Sequence, residues 1–520
     1  MLNFFNKRIF ILFVFPFILG GINVLGFMPF NLFFLNAISL SVLFYIIFYV
    51  KKKTLSSYRK KPFLKNLFFL GSSYGFGFFL FGVYWITFSL TFDESFQFLI
   101  PFALILIPLF LSLFFSLPIV LMGYFIELKI SSIILISILL STVDFFRSFI
   151  FGGFPWNIWA YSFSWSQESL QILSHIGFFS FNLILITLFF LPATIFLRDK
   201  LKYFFISFFI ILFFSNYFYG SYKINSKIPY KGENKINFKI VTAGMNLNEF
   251  KDQNLVLSKL IKISEPKESQ KTIFVWPEGV ILDSNLLKKS KFKELIKSNF
   301  SKNHLIIIGA NTQETNGLDT KYFNSLIIID NDVNVIGKYN KQKLVPFGEF
   351  LPFEKALRKV GLKKVTAGYN SFSKGNNKSI IKISFDKNEI NLLPLICYEI
   401  IFPSLIQKKN NHFNFIINIS EDAWFGNSIG PHQHFSKAIL RSIESRKFVL
   451  RSANRGKSAL IDPYGKVIKS LNPIEVGNIE FQLPLLESTK KPHKKSLIFY
   501  LLLFTYIFTF LILRKFENSK

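Results

Sequence analysis

A single cysteine, Cys397, serves all 520 residues, so no disulfide forms within the chain. Acidic side chains are also scarce: 31 Asp and Glu stand against 61 Lys and Arg, a formal net charge of +30. Such a surplus points to nucleic acid or to an anionic membrane surface. The excess is mostly Lys scattered through every segment, with no arginine-rich recognition helix and no nucleic-acid motif, which argues against the first. Charge is nearly absent from the long apolar stretches, and that argues against a transporter, whose pathway needs intramembrane ionisable groups.

What fills the space is apolar. Hydrophobic residues make up 51% of the chain and 70 residues are Phe, a composition that excludes an ordinary soluble enzyme and indicates a membrane protein. A helical span needs about 20 consecutive apolar residues. About eight stretches qualify: 9–27, 31–50, 66–90, 97–126, 130–150, 174–197, 203–219 and 497–513. Asn6, Lys7 and Arg8 precede the first, a cationic start that also opens secretory signals. The long run behind them has no small-residue cleavage site and reads as a retained anchor.

Charge placement orients these spans. The loop from Lys51 to Lys65 and the loop from Arg198 to Lys202 are cationic, and the positive-inside rule puts both in the cytoplasm with the two termini. Residues 91–95 and 151–172 carry no cation and face the other way. The expected organisation is a transmembrane bundle of about seven helices over 1–219, an extracytoplasmic domain over 220–495, and a last span with a cytoplasmic tail over 496–520. Trp156, Trp159 and Trp165 fall in the outer loop as interfacial anchors or as a floor beneath a site. Asp144 and Arg147, three apart on one helical face, pair as a structural pin or meet substrate.

Region 220–495 changes character. Short β-rich runs recur at Ile236–Val241, Thr272–Trp276, His304–Gly309, Phe323–Asp330, Ile390–Cys397, Phe413–Ile419 and Lys457–Ile461, and Gln433–Lys447 has helical spacing. Alternating strands and helices over this length predict one α/β domain with its own core. Three polar clusters punctuate the strands: Trp276-Pro277-Glu278-Gly279, the run from Lys341 to Glu349, and Cys397-Tyr398-Glu399. Strand ends are where ligands and catalytic groups collect in open α/β sheets. A carboxylate, a lysine and a thiol there supply a base, an oxyanion partner and a nucleophile.

In that order and context the clusters resemble the Glu-Lys-Cys triad of the carbon-nitrogen hydrolase (nitrilase) superfamily. Their attachment to a multi-span bundle resembles the apolipoprotein N-acyltransferase family. The likeness extends to Gly26-Phe27-Met28-Pro29-Phe30, Gly82 to Ile86, Gly153 to Trp156, Asp422 to Gly426 and Gly430 to His434. It implies a nitrilase-like α-β-β-α sandwich beside the bundle, with Glu278 as base, Lys341 as oxyanion stabiliser and Cys397 as nucleophile. It further implies Glu349 as a second carboxylate behind the lysine, and Tyr398, Glu399 and Trp424 as supporting or substrate-binding residues. Lys343 is the rival to Lys341, but Lys341 stands six residues before Phe347, as the family lysine does.

The reaction so implied moves an acyl chain from a membrane phospholipid, through a Cys397 thioester, to the amine of a diacylglyceryl-cysteine apolipoprotein. It places the protein in a bacterial inner membrane with the domain on the periplasmic side, and calls for no cofactor. Two alternatives stand beside it: a membrane-tethered amidase that uses the same triad but hydrolyses the thioester, and a non-enzymatic transporter or scaffold. Glu421 and His432 depart from the family's usual Asn and Trp. His432 and His434 form a His-x-His pair, but no third and fourth ligand stands in register, so no metal is expected. Residues 346–374 mix Phe350, Phe353 and Leu357 with Lys355, Arg358 and Lys359, the pattern of an interfacial arm or of a surface loop.

Overall fold

A computed structural model describes residues 7–54, 63–197, 199–226, 235–317, 319–352, 371–376, 380–407, 412–486 and 495–518. The chain divides into two compact units, Met1–Asn225 with Lys494–Lys520, and Ser226–His493.

Among the described residues of the first unit, seven helices are long and apolar enough to cross a membrane: Lys7–Gly26, Phe34–Thr54, Phe63–Phe92, Glu94–Phe125, Ile130–Arg147, Lys202–Asn225 and Lys495–Glu517. The expected stretch 174–197 is not one helix. Phe178–Phe189 is helical, the chain turns at Phe190, and a short helix follows over Leu191–Thr194. Pro192 accounts for the break, because its ring clashes with the carbonyl four residues back and it has no N–H to donate. The segment nevertheless joins opposite ends of the bundle. Near one end His175 meets Tyr219 at 2.8 Å. At the other, the Ile130 amide reaches Asp199, Lys51 donates to the Ile126 carbonyl, and Arg514 pairs with Glu127 at 2.7 Å.

Small residues let the bundle close. A Cβ added to Gly71 or Gly75 would sit 2.7–2.8 Å from the Cα atoms of Ser116 and Ser112, so two helices touch backbone to backbone there. Rings fill the rest, and two of the three loop tryptophans belong to that packing. Trp156 and Trp159 are each 1% exposed, against Trp85 and Phe78, while Trp165 remains 45% exposed. Indole buried among rings cannot reach an interface, so Trp156 and Trp159 do not serve as the expected anchors. Arg147 pairs with Asp144 at 2.9 Å and also donates to the carbonyls of Phe154 and Trp156, and Asn182 donates to the second Asp144 oxygen. The pair thus pins the 151–159 loop to its helix.

The second unit is built from strands β1 (Lys235–Thr242), β2 (Thr272–Val275), β3 (His304–Asn316), β4 (Asp319–Ile329), β5 (Val335–Asn340), β6 (Ile381–Phe385), β7 (Asn388–Ile396), β8 (Phe415–Glu421), β9 (Phe448–Asn454), β10 (Ser458–Ile461), β11 (Val467–Leu471) and β12 (Gly477–Pro484). They form two sheets, ordered β12-β1-β2-β3-β4-β5 and β11-β10-β9-β8-β7-β6. Phe238, Val275, Ile307 and Ile328 of one sheet pack with Leu392, Ile396, Phe415 and Ile417 of the other. Helices Gln253–Ser264 and Ser290–Asn299 cover the first sheet through Leu257, Leu260, Phe292 and Ile296. Helix Gly430–Ser445 packs on β9 of the second, which completes an α-β-β-α sandwich. Strands β1 to β3 run parallel, as do β7 to β9, so their carboxyl ends gather the segments that follow them on one edge of each sheet.

Candidate active site

Each of the three polar clusters follows a strand that stops at this edge. Glu278 comes three residues beyond the end of β2 and crowds Gly309 of the neighbouring β3: a Cβ on Gly309 would lie 2.5 Å from the Glu278 Cα, so only glycine allows the approach. Lys341 follows β5 directly. Cys397 follows β7 and opens a 3₁₀ turn, Cys397–Ile401, with φ of 48°. A side chain bearing a Cβ pays about 1–3 kcal/mol for that conformation, which persists only where the surroundings enforce it.

Here the enforcing group is Glu399. Its carboxylate accepts from the Ile396 amide at 2.8 Å, from the Gln342 and Lys343 amides at 2.7 and 3.1 Å, and from the Tyr339 hydroxyl at 2.7 Å. Both oxygens are thus committed to tying the lysine loop to the cysteine turn. Glu399 braces the turn in this way. Burial, only partly offset by these donors, pushes its carboxyl up to about 7.

Lys341 is 1% exposed and sits between two carboxylates, 2.9 Å from Glu349 and 3.2 Å from Glu278. Burial alone would lower its pKa. The charges of Glu278 and Glu349 outweigh that and push the ammonium above its ordinary value. Lys343 Nζ lies over the Phe402 ring at 4.8 Å, whereas Lys341 Nζ bridges Glu278 and Glu349, so the geometry separates the two candidate lysines. Asn324 of β4 donates to both Glu278 and Glu349, at 2.7 and 2.6 Å, and the remaining oxygens take the Glu421 and Val345 amides. The sequence reading missed Asn324. Its signal was an Asn inside a strand that ends in Leu-Ile-Ile-Ile, where Asn is disfavoured.

The thiol lies in the field of this cluster. Burial and the Glu278 charge raise Cys397 well above an ordinary thiol, while Lys341 and a Ser420 hydrogen bond pull the other way. The net direction favours the protonated form of the Cys397 thiol at rest, within the field of the Glu278 carboxylate.

The other expected residues are placed as follows. Tyr398 is buried edge-on against Phe402, ring centroids 5.1 Å apart. Trp424 is half-buried in the turn Asp422–Phe425 after β8. Glu421, the departure from the family Asn, is 5% exposed and bound by Asn454 at 2.9 Å; burial pushes its carboxyl well up, toward the neutral form. His434 is not set up as a ligand: its ring faces Asp422 and the Cys397 carbonyl. Among the described residues no group of three or more His, Cys, Asp or Glu is arranged to hold a metal ion. The suggested arm lies largely in 353–370, outside the described residues.

Comparison with known proteins gives a concordant picture for both units. The carbon-nitrogen hydrolase family model matches residues 245–491, and the model for the apolipoprotein N-acyltransferase N-terminal domain matches 19–191. The apolipoprotein N-acyltransferase of Rickettsia typhi is 31% identical over 421 residues, 80% of this chain and 82% of that one. Its counterpart from Rhizobium rhizogenes is 29% identical over 477 residues, 89% and 88% of the two chains. Among solved structures, a nitrilase-superfamily amidase from Nesterenkonia aligns with 52% of this chain and 95% of its own at 15% identity and a TM-score of 0.35. With sequence identity spread over four fifths of both chains and a matching family model on each unit, the chain belongs to the apolipoprotein N-acyltransferase family, membrane acyltransferases of the carbon-nitrogen hydrolase superfamily.

Proposed function

We propose that Cys397 carries the acyl group, that Glu278 moves its proton, and that Lys341 stabilises the oxyanion, with a membrane phospholipid as donor. Glu278 takes the thiol proton as Sγ attacks an ester carbonyl carbon. Lys341 Nζ meets the charge that develops on the carbonyl oxygen, and collapse expels the lysophospholipid alkoxide, which takes the proton back from Glu278. The α-amine of the diacylglyceryl cysteine then attacks the thioester carbon. Its proton passes to Glu278 and on to the departing thiolate, leaving an amide and free enzyme.

One observation carries this reading: a fully buried lysine held between two carboxylates, beside the only thiol in the chain, which a strained turn presents at a strand end. A role for Glu349 follows. It keeps Lys341 charged and fixed, so that the ammonium needs no reorganisation when the oxyanion forms.

The positive-inside rule supports an orientation in which the Lys51, Lys129 and Arg514 end of the bundle faces the cytoplasm. The catalytic unit, entered after the span Lys202–Asn225 and left before Lys495–Glu517, then lies on the periplasmic side of an inner membrane. Both substrates are lipids, and an enzyme tethered to the bilayer at both ends meets them where they reside.

The test uses the full-length protein in vesicles containing phospholipid labelled in its acyl chain, followed by a diacylated lipopeptide. An amide-linked label on the peptide amine supports the proposal. Label released as free fatty acid whatever the acceptor concentration would instead mean that water resolves the thioester.

A further inference from the structure

His434 is 0% exposed, yet the mechanism above gives it no task. It projects from helix Gly430–Ser445 toward the turn that carries the thiol, with Nε2 3.2 Å from the Cys397 carbonyl oxygen. On its other side Nδ1 lies 3.0 Å from Asp422 Oδ1 and 3.2 Å from Arg451 Nη2. Arg451 in turn donates to Asp422 Oδ2 at 2.6 Å, to the Lys457 carbonyl at 3.2 Å and to Asn418. Ser420 donates to Asp422 Oδ1 at 2.6 Å, and Asn418 donates to the Leu395 carbonyl at 2.8 Å. Asn418, Ser420, Asp422 and Arg451 are all 0% exposed. The network is thus rooted in β7, β8 and β9, and its outermost member reaches the peptide of the reacting residue.

The ring chemistry is consistent with a donor at Nε2. In the imidazolium, Nδ1 donates to Asp422; in the Nε2-protonated neutral ring, Nδ1 accepts from Arg451. In both forms Nε2 donates to the Cys397 carbonyl. The Cys397–Tyr398 peptide is planar, so holding its oxygen also sets the direction of the Tyr398 amide, on the opposite edge. Glu399 braces the turn through the Ile396 amide, upstream of the thiol. The carbonyl just after the Cys397 Cα needs a separate hold if φ is to stay at 48°.

We propose that His434 is a positioning residue for acyl transfer: braced by Asp422 and Arg451, it grips the Cys397 carbonyl and fixes the peptide that carries the nucleophile. The inference rests on Cys397 being that nucleophile. It predicts that the conservative replacement is the one that restores a donor at the Nε2 position. His434→Gln does so, His434→Asn places its amide nearer Nδ1, and His434→Leu has none.

The readout is the single-turnover rate of Cys397 S-acylation from labelled phospholipid, measured by mass spectrometry alongside the lipid concentration for half-saturation and the melting temperature. His434→Gln should keep most of the rate. His434→Asn and His434→Leu should lose about 10²-fold, the usual cost of a ~1 Å misplacement, with half-saturation unchanged. Equal rates in the three variants overturn the inference, as does a loss that appears only in half-saturation or in melting. If His434→Leu does not fold, the Gln and Asn variants decide between themselves. A wild-type enzyme that turns over without ever acylating Cys397 sinks the site assignment and this inference with it; a normal wild-type acyl-enzyme with equal variant rates sinks the inference alone.

Discussion

In the bundle, the ion pair Asp144–Arg147 is buried among phenylalanine and tryptophan rings, whereas at the catalytic edge Glu278, Lys341, Glu349, Glu399, Asp422 and Arg451 are buried side by side. The first unit presents Phe, Leu and Ile on its outside and uses a buried ion pair to hold a loop by two carbonyls. The second gathers charge where strands end and satisfies it with backbone amides, Asn324 and opposite charges. Charge in an apolar interior is costly to both. In the bundle it fixes shape, and in the catalytic unit the same low-dielectric surroundings strengthen the field that acts on a reacting atom.

Breaking each kind of buried charge should therefore have different consequences. The largest effect is expected of Lys341→Ala, which removes the proposed oxyanion donor at a cost of about 3–4 kcal/mol in barrier. It also leaves Glu278 and Glu349 buried without their cation, a further ~3–5 kcal/mol in stability. Acylation rates and thermal unfolding, measured on one preparation, separate the two losses.

Glu278→Gln should slow acylation by about 10²–10⁴-fold, the range for loss of a general base. It should at the same time lower the pKa of the thiol, because the carboxylate charge that raises it is gone. Cys397 is the only thiol in the chain, so its alkylation by iodoacetamide as a function of pH reads this directly. A thiol that becomes both more easily ionised and less competent distinguishes a base from a mere neighbour.

In the bundle, Asp144→Leu should cost about 3–5 kcal/mol by stranding Arg147, while Asp144→Leu with Arg147→Met should cost less than the single change. The catalytic unit should keep its intrinsic acylation rate wherever the double variant folds. Thermal unfolding of the two variants checks the first point, and single-turnover acylation the second.

The smallest effect concerns Glu399. Its carboxyl is raised from an ordinary 4.5 to about 7, so the folded protein binds more protons than the unfolded chain between those values. Stability from this group is then greatest at low pH and declines as pH rises from about 4.5 to about 7. Glu399→Gln should remove that slope from melting curves. By losing an acceptor for buried amides, it should also lower stability at every pH by about 1–3 kcal/mol.

How much of this was legible in the sequence follows the range of each interaction. Glu278, Lys341 and Cys397 stood out because each interrupts an apolar strand with a polar corner, a local signal, and Glu349 came with the resemblance. Asn324 and Arg451 acquire their meaning only when strands distant in sequence pair, and nothing near them in the chain announces a partner. His434 was visible as half of a His-x-His pair, but its spacing suggested a ligand when its contacts are a carboxylate and a carbonyl. Tyr398 and Glu399 adjoin Cys397, and adjacency alone does not say that one packs on Phe402 while the other ties two loops together. In the bundle, the hydropathy of 174–197 concealed the break at Pro192, and the indoles of Trp156 and Trp159 carried no mark of which way they face.

The most direct test of the central claim is the location of the acyl group in the working enzyme. Full-length protein is given labelled phospholipid without acceptor, quenched within one turnover, digested and mapped by mass spectrometry. The account predicts one acyl chain on the peptide containing Cys397, lost on treatment with hydroxylamine and absent from Cys397→Ala. Transfer to a lipopeptide by Cys397→Ala at the wild-type rate, or an acyl chain found on another residue, would contradict it.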